Sequence, residues 1–73
     1  MRLIDLKRTG NELRDQRKLC GFTPTEVAEY LNIDRSVIYR WENGYRLPSV
    51  ENLYNIAVLY GVDMEELIEV ERP

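Results

Sequence analysis

The chain has no histidine and only one cysteine, Cys20. A lone thiol forms no internal disulfide, and without histidine no zinc site of the usual Cys/His kind can be assembled. Both absences fit a reducing, cytoplasmic setting. The spacing of a calcium loop is missing as well, so neither a metal nor a cofactor is expected. No apolar run approaches the ~18 residues of a membrane span, and the stretch from Met1 to Ile4 is too short for a signal peptide. No nucleophile–base pair, phosphate loop or paired metal-ligand spacing is present, which excludes an enzyme. Strand-like alternating runs, low-complexity tracts and internal repeats are absent too, which leaves helices.

Basic charge is scarce in one half only. The chain has 73 residues and a net charge of −3. Residues 1–46 carry nine Lys/Arg against seven Asp/Glu, or +2, while residues 47–73 carry Arg72 against six acidic residues, or −5. The acid gathers at Glu65, Glu66, Glu69 and Glu71 and reads as a solvated helix face at the C-terminal end. A partner phosphate feels the local patch within about one Debye length, ~8–10 Å, more than the total.

Capping signals divide what remains into five helices. The first starts at Asp5 or at Thr9, where Thr9-Gly10-Asn11-Glu12 has the capping-box pattern. The earlier start is favoured because Leu6, Gly10, Leu13 and Arg17 continue one helical stripe. It ends near Cys20, before Gly21. Thr23 is an N-cap followed by Pro24 at the first helical position and Glu26 at the third. The helix that follows buries Val27, Ala28 and Leu31, and Asn32 takes a turn that needs positive φ. Ile33 anchors that turn and Asp34 caps a third helix from Arg35 to Glu42. Ser49 caps a fourth helix, Val50 to Tyr60, with the stripe Leu53, Ile56, Ala57 and Tyr60. Asp63 to Glu66 opens a fifth, carrying Leu67, Ile68 and Val70. The lead-in residues Leu3, Ile4 and Leu6 are expected to pack back on the body. The expected fold is all-α, a compact five-helix bundle in one domain, residues 1–73, with its core between about 5 and 70.

The third helix has two unlike faces. At about 100° per residue, Arg35, Tyr39, Ser36 and Arg40 fall within ~140° of one another, and Val37, Ile38 and Trp41 fall between ~200° and ~300°. The second set must be buried. The first offers two guanidiniums, a hydroxyl and a phenol on a rigid rod, a set suited to reading the edges of DNA bases. The amides at the start of the second helix, with the Thr23 and Thr25 hydroxyls, form an anion site.

The order and spacing of Leu13 with Arg17, Glu26-Val27-Ala28, Leu31, Ile33, Ile38, Trp41 to Gly44, Pro48-Ser49, Leu53, Ile56-Ala57 and Gly61-Val62 resemble the lambda-repressor-like (Xre/Cro) helix-turn-helix family of bacterial and phage regulators. The likeness covers Gly10 to Ile68. It implies that the third helix lies in the major groove of double-stranded DNA, with Arg35, Ser36, Tyr39, Arg40 and Asp34 as base-contact candidates. It assigns phosphate contacts to Thr23, Thr25, Asn43, Tyr45 and Arg46, and makes Arg17 with Glu42 a structural salt bridge between the first and third helices. Where the family has a backbone-clamping glutamine this chain has Pro24, which cannot donate. Relatives pair through their last helices, so Tyr54, Val58, Met64 and Val70 are candidate homodimer contacts. The expectation is a sequence-specific DNA-binding transcriptional regulator acting as a repressor. The alternative, favoured by Pro24 and the −3 charge, is a protein-interaction module or antitoxin of the same fold with a protein partner. Cys20 reads as a small filler at a helix end.

Overall fold

In the computed structural model, which describes residues 1–72, five helices follow one another: α1 (Leu6–Leu19), α2 (Pro24–Leu31), α3 (Arg35–Glu42), α4 (Val50–Tyr60) and α5 (Met64–Leu67). The starts of α1 to α4 are each fixed by a side chain that satisfies amides a helix leaves unpaired. The Asp5 carboxylate accepts from the Arg8 N–H at 3.0 Å, which settles α1 on the earlier of its two possible starts. Thr23 and Glu26 form the reciprocal capping box of α2, with Thr23 Oγ1 accepting from the Glu26 N–H at 3.1 Å and Glu26 Oε1 accepting from the Thr23 N–H at 2.8 Å. Ser49 accepts from the Asn52 N–H at 3.2 Å. Asn32 ends α2 with φ 57°, the left-handed conformation expected of the turn.

The core gathers one stripe from every helix: Leu13, Val27 and Ala28, Ile38 and Trp41, Leu53, Ile56, Ala57 and Tyr60, and Leu67. Leu31 and Ile33 pack against this cluster but remain half-buried. Phe22 stacks on Tyr60 with ring centroids 6.3 Å apart. Burial, together with the nearby charge of Glu42, pushes the Tyr60 phenol well above its ordinary pKa. Cys20 is exposed, and its thiol donates to the Tyr60 carbonyl at 3.5 Å.

Two close approaches seat α3. A Cβ on Gly10 would lie 2.5 Å from the Trp41 carbonyl oxygen and 2.6 Å from that of Glu42, so α1 crosses the end of α3 with only a hydrogen atom between the backbones. A Cβ on Gly44, which has φ 77°, would lie 2.9 Å from Lys7 Cα.

The chain's ends depart from the expected fifth helix. That helix stops at Leu67, and Ile68 is extended (φ −101°, ψ 124°), so neither Ile68 nor Val70 is helical. Val70 instead pairs with Ile4 in a single antiparallel β-bridge. The Asp5 N–H donates to the Glu69 carbonyl and the Glu71 N–H to the Leu3 carbonyl, each at 2.7 Å. The physical reason is written in Ile68-Glu69-Val70-Glu71, a short period-two alternation rich in β-branched residues; one isolated bridge makes no sheet, and the fold is all-α. Glu69 is likewise not on a solvated helix face. Its carboxylate pairs with Arg8 at 3.0 Å, and its amide donates to the buried Thr9 hydroxyl at 2.9 Å. The lead-in therefore docks through its backbone, while the Leu3, Ile4 and Leu6 side chains stay exposed. Among the described residues no helix is long and apolar enough to cross a membrane, and no cluster of three His, Cys, Asp or Glu residues is placed to hold a metal.

Candidate nucleic-acid interface

The turn between α2 and α3 and the caps on either side fix which face of α3 meets solvent. Ile38 and Trp41 are buried in the core and Val37 is half-buried. Arg35, Ser36, Tyr39 and Arg40 all lie exposed on the other side, as the wheel predicts. Neither guanidinium of this face is in an ion pair among the described residues. Their charge is therefore available to an external acceptor.

Asp34 occupies the start of α3, where its Oδ1 accepts from the Ser36 N–H at 2.8 Å. That backbone hydrogen bond is the main reason its carboxyl is held below the ordinary value of 3.8, with the Ser36 side chain and the charges of Arg35 and Arg40 adding to it. The sign follows from linkage: the cap's contribution is complete above pH 3.8 and is lost as pH falls through the lowered folded value. Asp34 therefore acts as the capping residue of α3 through its Oδ1.

The helix is braced from behind by the pair expected between α1 and α3. Arg17 Nε donates to Glu42 Oε2 at 2.7 Å and Arg17 Nη2 to Glu42 Oε1 at 3.0 Å, while Nη1 donates to the Phe22 carbonyl at 2.8 Å. Both side chains are buried, and the Glu42 hydrogen bond raises the Arg17 pKa against the desolvation that burial imposes. A bidentate fork in a dry setting fixes distance and angle together.

The flanks of α3 carry the expected phosphate-contact residues. Thr23 and Thr25 are exposed at the start of α2, although the Thr23 hydroxyl already accepts from the Glu26 amide. Tyr45 and Arg46 are exposed in the connection after α3, and Arg46 is in no ion pair among the described residues. Asn43 is more engaged than its sequence position suggests. Its side-chain amide donates to the Tyr39 carbonyl at 2.8 Å, and its oxygen accepts from Arg14 Nη2 at 3.3 Å. The sequence reading passed over Arg14 because nothing in a local pattern joins it to a residue 29 positions away. Tyr54, Val58 and Met64 line one shallow groove with Ala57, Val62, Asp63 and Glu65. Val70 stands apart from them, opposite Ile4.

The helix-turn-helix family model HTH_3 matches residues 13–67, a span that begins inside α1 and closes at the end of α5. The chain is 35% identical over 65 residues to the ImmF control region 10 kDa protein of Bacillus phage phi105, covering 89% of this chain and 72% of that protein. It is 34% identical over 59 residues to the HTH-type transcriptional regulator ImmR of Bacillus subtilis (strain 168), covering 81% of this chain and 46% of that protein. Among solved structures, the S. venezulae BldD DNA-binding domain superposes with a TM-score of 0.75 at 30% identity, covering 89% of this chain and 97% of that domain.

Proposed function

The chain belongs to the helix-turn-helix family of the lambda-repressor-like (Xre/Cro) kind, and from that premise we propose how it works as a DNA-binding transcriptional regulator. It lays α3 in the major groove of an operator and represses by occupying that site. The observation that carries this reading is the solvent face of α3, where Arg35, Ser36, Tyr39 and Arg40 stand exposed on a helix whose other face is buried and braced. Arg35, near the helix N-terminus, forks to guanine O6 and N7. Ser36 and Asp34 take polar base edges, Tyr39 lies on a thymine methyl, and Arg40 serves a base or the neighbouring phosphate. Thr23, Thr25, Asn43, Tyr45 and Arg46 hold the sugar–phosphate backbone and set the register.

Replacing Arg35 with alanine is expected to relax selectivity at one base pair by about 1–3 kcal/mol. Replacing Arg46 should weaken specific and random duplexes alike and flatten the dependence of log K on log salt by about 0.9. Titration of both variants against selected and scrambled duplexes checks the pair. Equal losses of Arg35→Ala on the two duplexes would remove it from the base-reading set.

One module contacts few base pairs, and two on half-sites about 34–36 Å apart gain both affinity and selectivity. The groove lined by Tyr54, Val58 and Met64 is proposed as the homodimer contact, with Tyr54 and Val58 exposed and four residues apart on α4. Val58→Asp is expected to give a monomer by sedimentation and to weaken operator binding while leaving helicity unchanged.

The net charge of −3 and the proline at position 24 support a second reading, a module that binds a protein partner as an antitoxin does. Binding-site selection from random duplexes at two salt concentrations separates the two. A two-fold symmetric consensus carries the operator reading, and no enrichment at either salt would leave the protein-partner reading in front. Both readings put the chain to work in the cytoplasm, without catalysis.

A further inference from the structure

We infer that α1 supplies a second phosphate-binding ridge, formed by Lys7 and Arg14 beside the C-terminal end of α3, for the sugar–phosphate backbone of the duplex that α3 reads. The inference rests on the DNA-binding reading above and extends its footprint to a helix outside the two of the motif.

Lys7 and Arg14 are seven residues apart, two helical turns, and so share one edge of α1. That edge is the one meeting α3. Arg14 Nη2 donates to the Glu42 carbonyl at 3.0 Å and to Asn43 Oδ1 at 3.3 Å. The Lys7 backbone touches Gly44, and its exposed side chain starts from that contact. About 100° round α1 from Lys7 stands Arg8, whose charge is paired with Glu69 at 3.0 Å. Of the other cations on α1, Arg17 is bonded to Glu42 and Lys18 is exposed, while Arg14 stands beside Asn43 and Lys7 beside Gly44.

Arg14 caps a carbonyl at the C-terminal end of α3, where a cation is favoured. That bond leaves donors over. A guanidinium has five N–H groups; Nη2 reaches Glu42 and Asn43, and Nη1 makes one contact of 3.4 Å to Asn11. The Glu42 carboxylate, 3.8 Å from Arg14 Nε, is already doubly bonded to Arg17, so the three groups together keep one positive charge. Lys7 adds another, with no ion pair among the described residues. Lys7 and Arg14 thus place positive charge beside Asn43 and Gly44 in a chain of net charge −3. A site of this kind recognises phosphodiester oxygens and carries no base preference.

The test uses the full chain with Lys7→Ala, Arg14→Gln and Arg14→Lys, titrated by fluorescence anisotropy against the selected duplex and a scrambled one between 50 and 200 mM salt, concentrations at which such slopes are well resolved. Lys7→Ala and Arg14→Gln should each lower the slope of log K against log salt by about 0.9 per chain bound, equally on both duplexes. Arg14→Lys should restore the slope, because it returns the charge without the fork to Glu42 and Asn43. Unchanged slopes in Lys7→Ala and Arg14→Gln while the wild-type chain binds would overturn the ridge and leave the operator reading intact. A wild-type chain that binds neither duplex would overturn the operator reading, and the ridge with it.

Discussion

Glu42→Ala is expected to cost about 3–5 kcal/mol of folding stability, because it leaves the Arg17 guanidinium buried without its counter-charge. A domain of this size holds only on the order of 4–11 kcal/mol in total, so much of the population should be unfolded near 37 °C. The midpoint of thermal unfolding should fall by roughly 15–30 °C. The geometry fixes the sign. Arg17 keeps one acceptor, the Phe22 carbonyl at 2.8 Å, and loses bonds of 2.7 and 3.0 Å to the carboxylate. Replacing both partners is a different experiment. Arg17→Met with Glu42→Leu removes both desolvation penalties and should recover most of the lost stability. DNA binding should recover less, because flexible apolar side chains fill the space without fixing the angle of α3. Calorimetry and duplex titration on the same three proteins check both halves. A double variant as unstable as Glu42→Ala would show that shape, rather than a stranded charge, sets the cost.

The brace also marks how far the sequence could be read. The bounds of α2, α3 and α4 were legible because each begins with a residue that satisfies the first free amides: Thr23, Asp34 and Ser49. The solvent face of α3 was legible because Ile38 and Trp41 recur at helical spacing and leave Arg35, Ser36, Tyr39 and Arg40 opposite. The Arg17–Glu42 pair came through family resemblance, since nothing local joins residues 25 apart. Three features escaped, all for one physical reason: each depends on which elements meet in space. Thr9 offered only the less favoured of two helix starts, and nothing in the sequence shows that its buried hydroxyl ties α1 to Glu69. Val70 looked helical and pairs with Ile4, a contact that pays its loop-closure entropy only after the bundle has formed. Arg14 carries no local signal in the sequence and reaches Asn43 on the edge of the candidate interface.

Gly10 makes the same point with a sign that can be measured. Helix propensity alone predicts that Gly10→Ala stabilises α1 by about 1 kcal/mol. The structure predicts the reverse. The new methyl would stand 2.5 Å from the Trp41 carbonyl oxygen and 2.6 Å from that of Glu42, and both are backbone atoms that cannot rotate aside. Relief requires α1 and α3 to separate by several tenths of an ångström, and overpacking of this kind costs about 1–3 kcal/mol. The separation falls on the bonds that seat α3, namely Arg17 to the Glu42 carboxylate and Arg14 Nη2 to the Glu42 carbonyl. Gly10→Ala should therefore lower the unfolding midpoint and also weaken operator binding in the fraction that stays folded. Gly21→Ala is the matched control. Nothing lies within 4 Å of its added Cβ, and the cost there is only the strain of φ 78°, about 1 kcal/mol. It should lose stability without changing duplex affinity per folded molecule. If Gly10→Ala instead raises the midpoint, the helices tolerate more separation than their carbonyl contacts imply, and the seating of α3 rests on the charge pair alone.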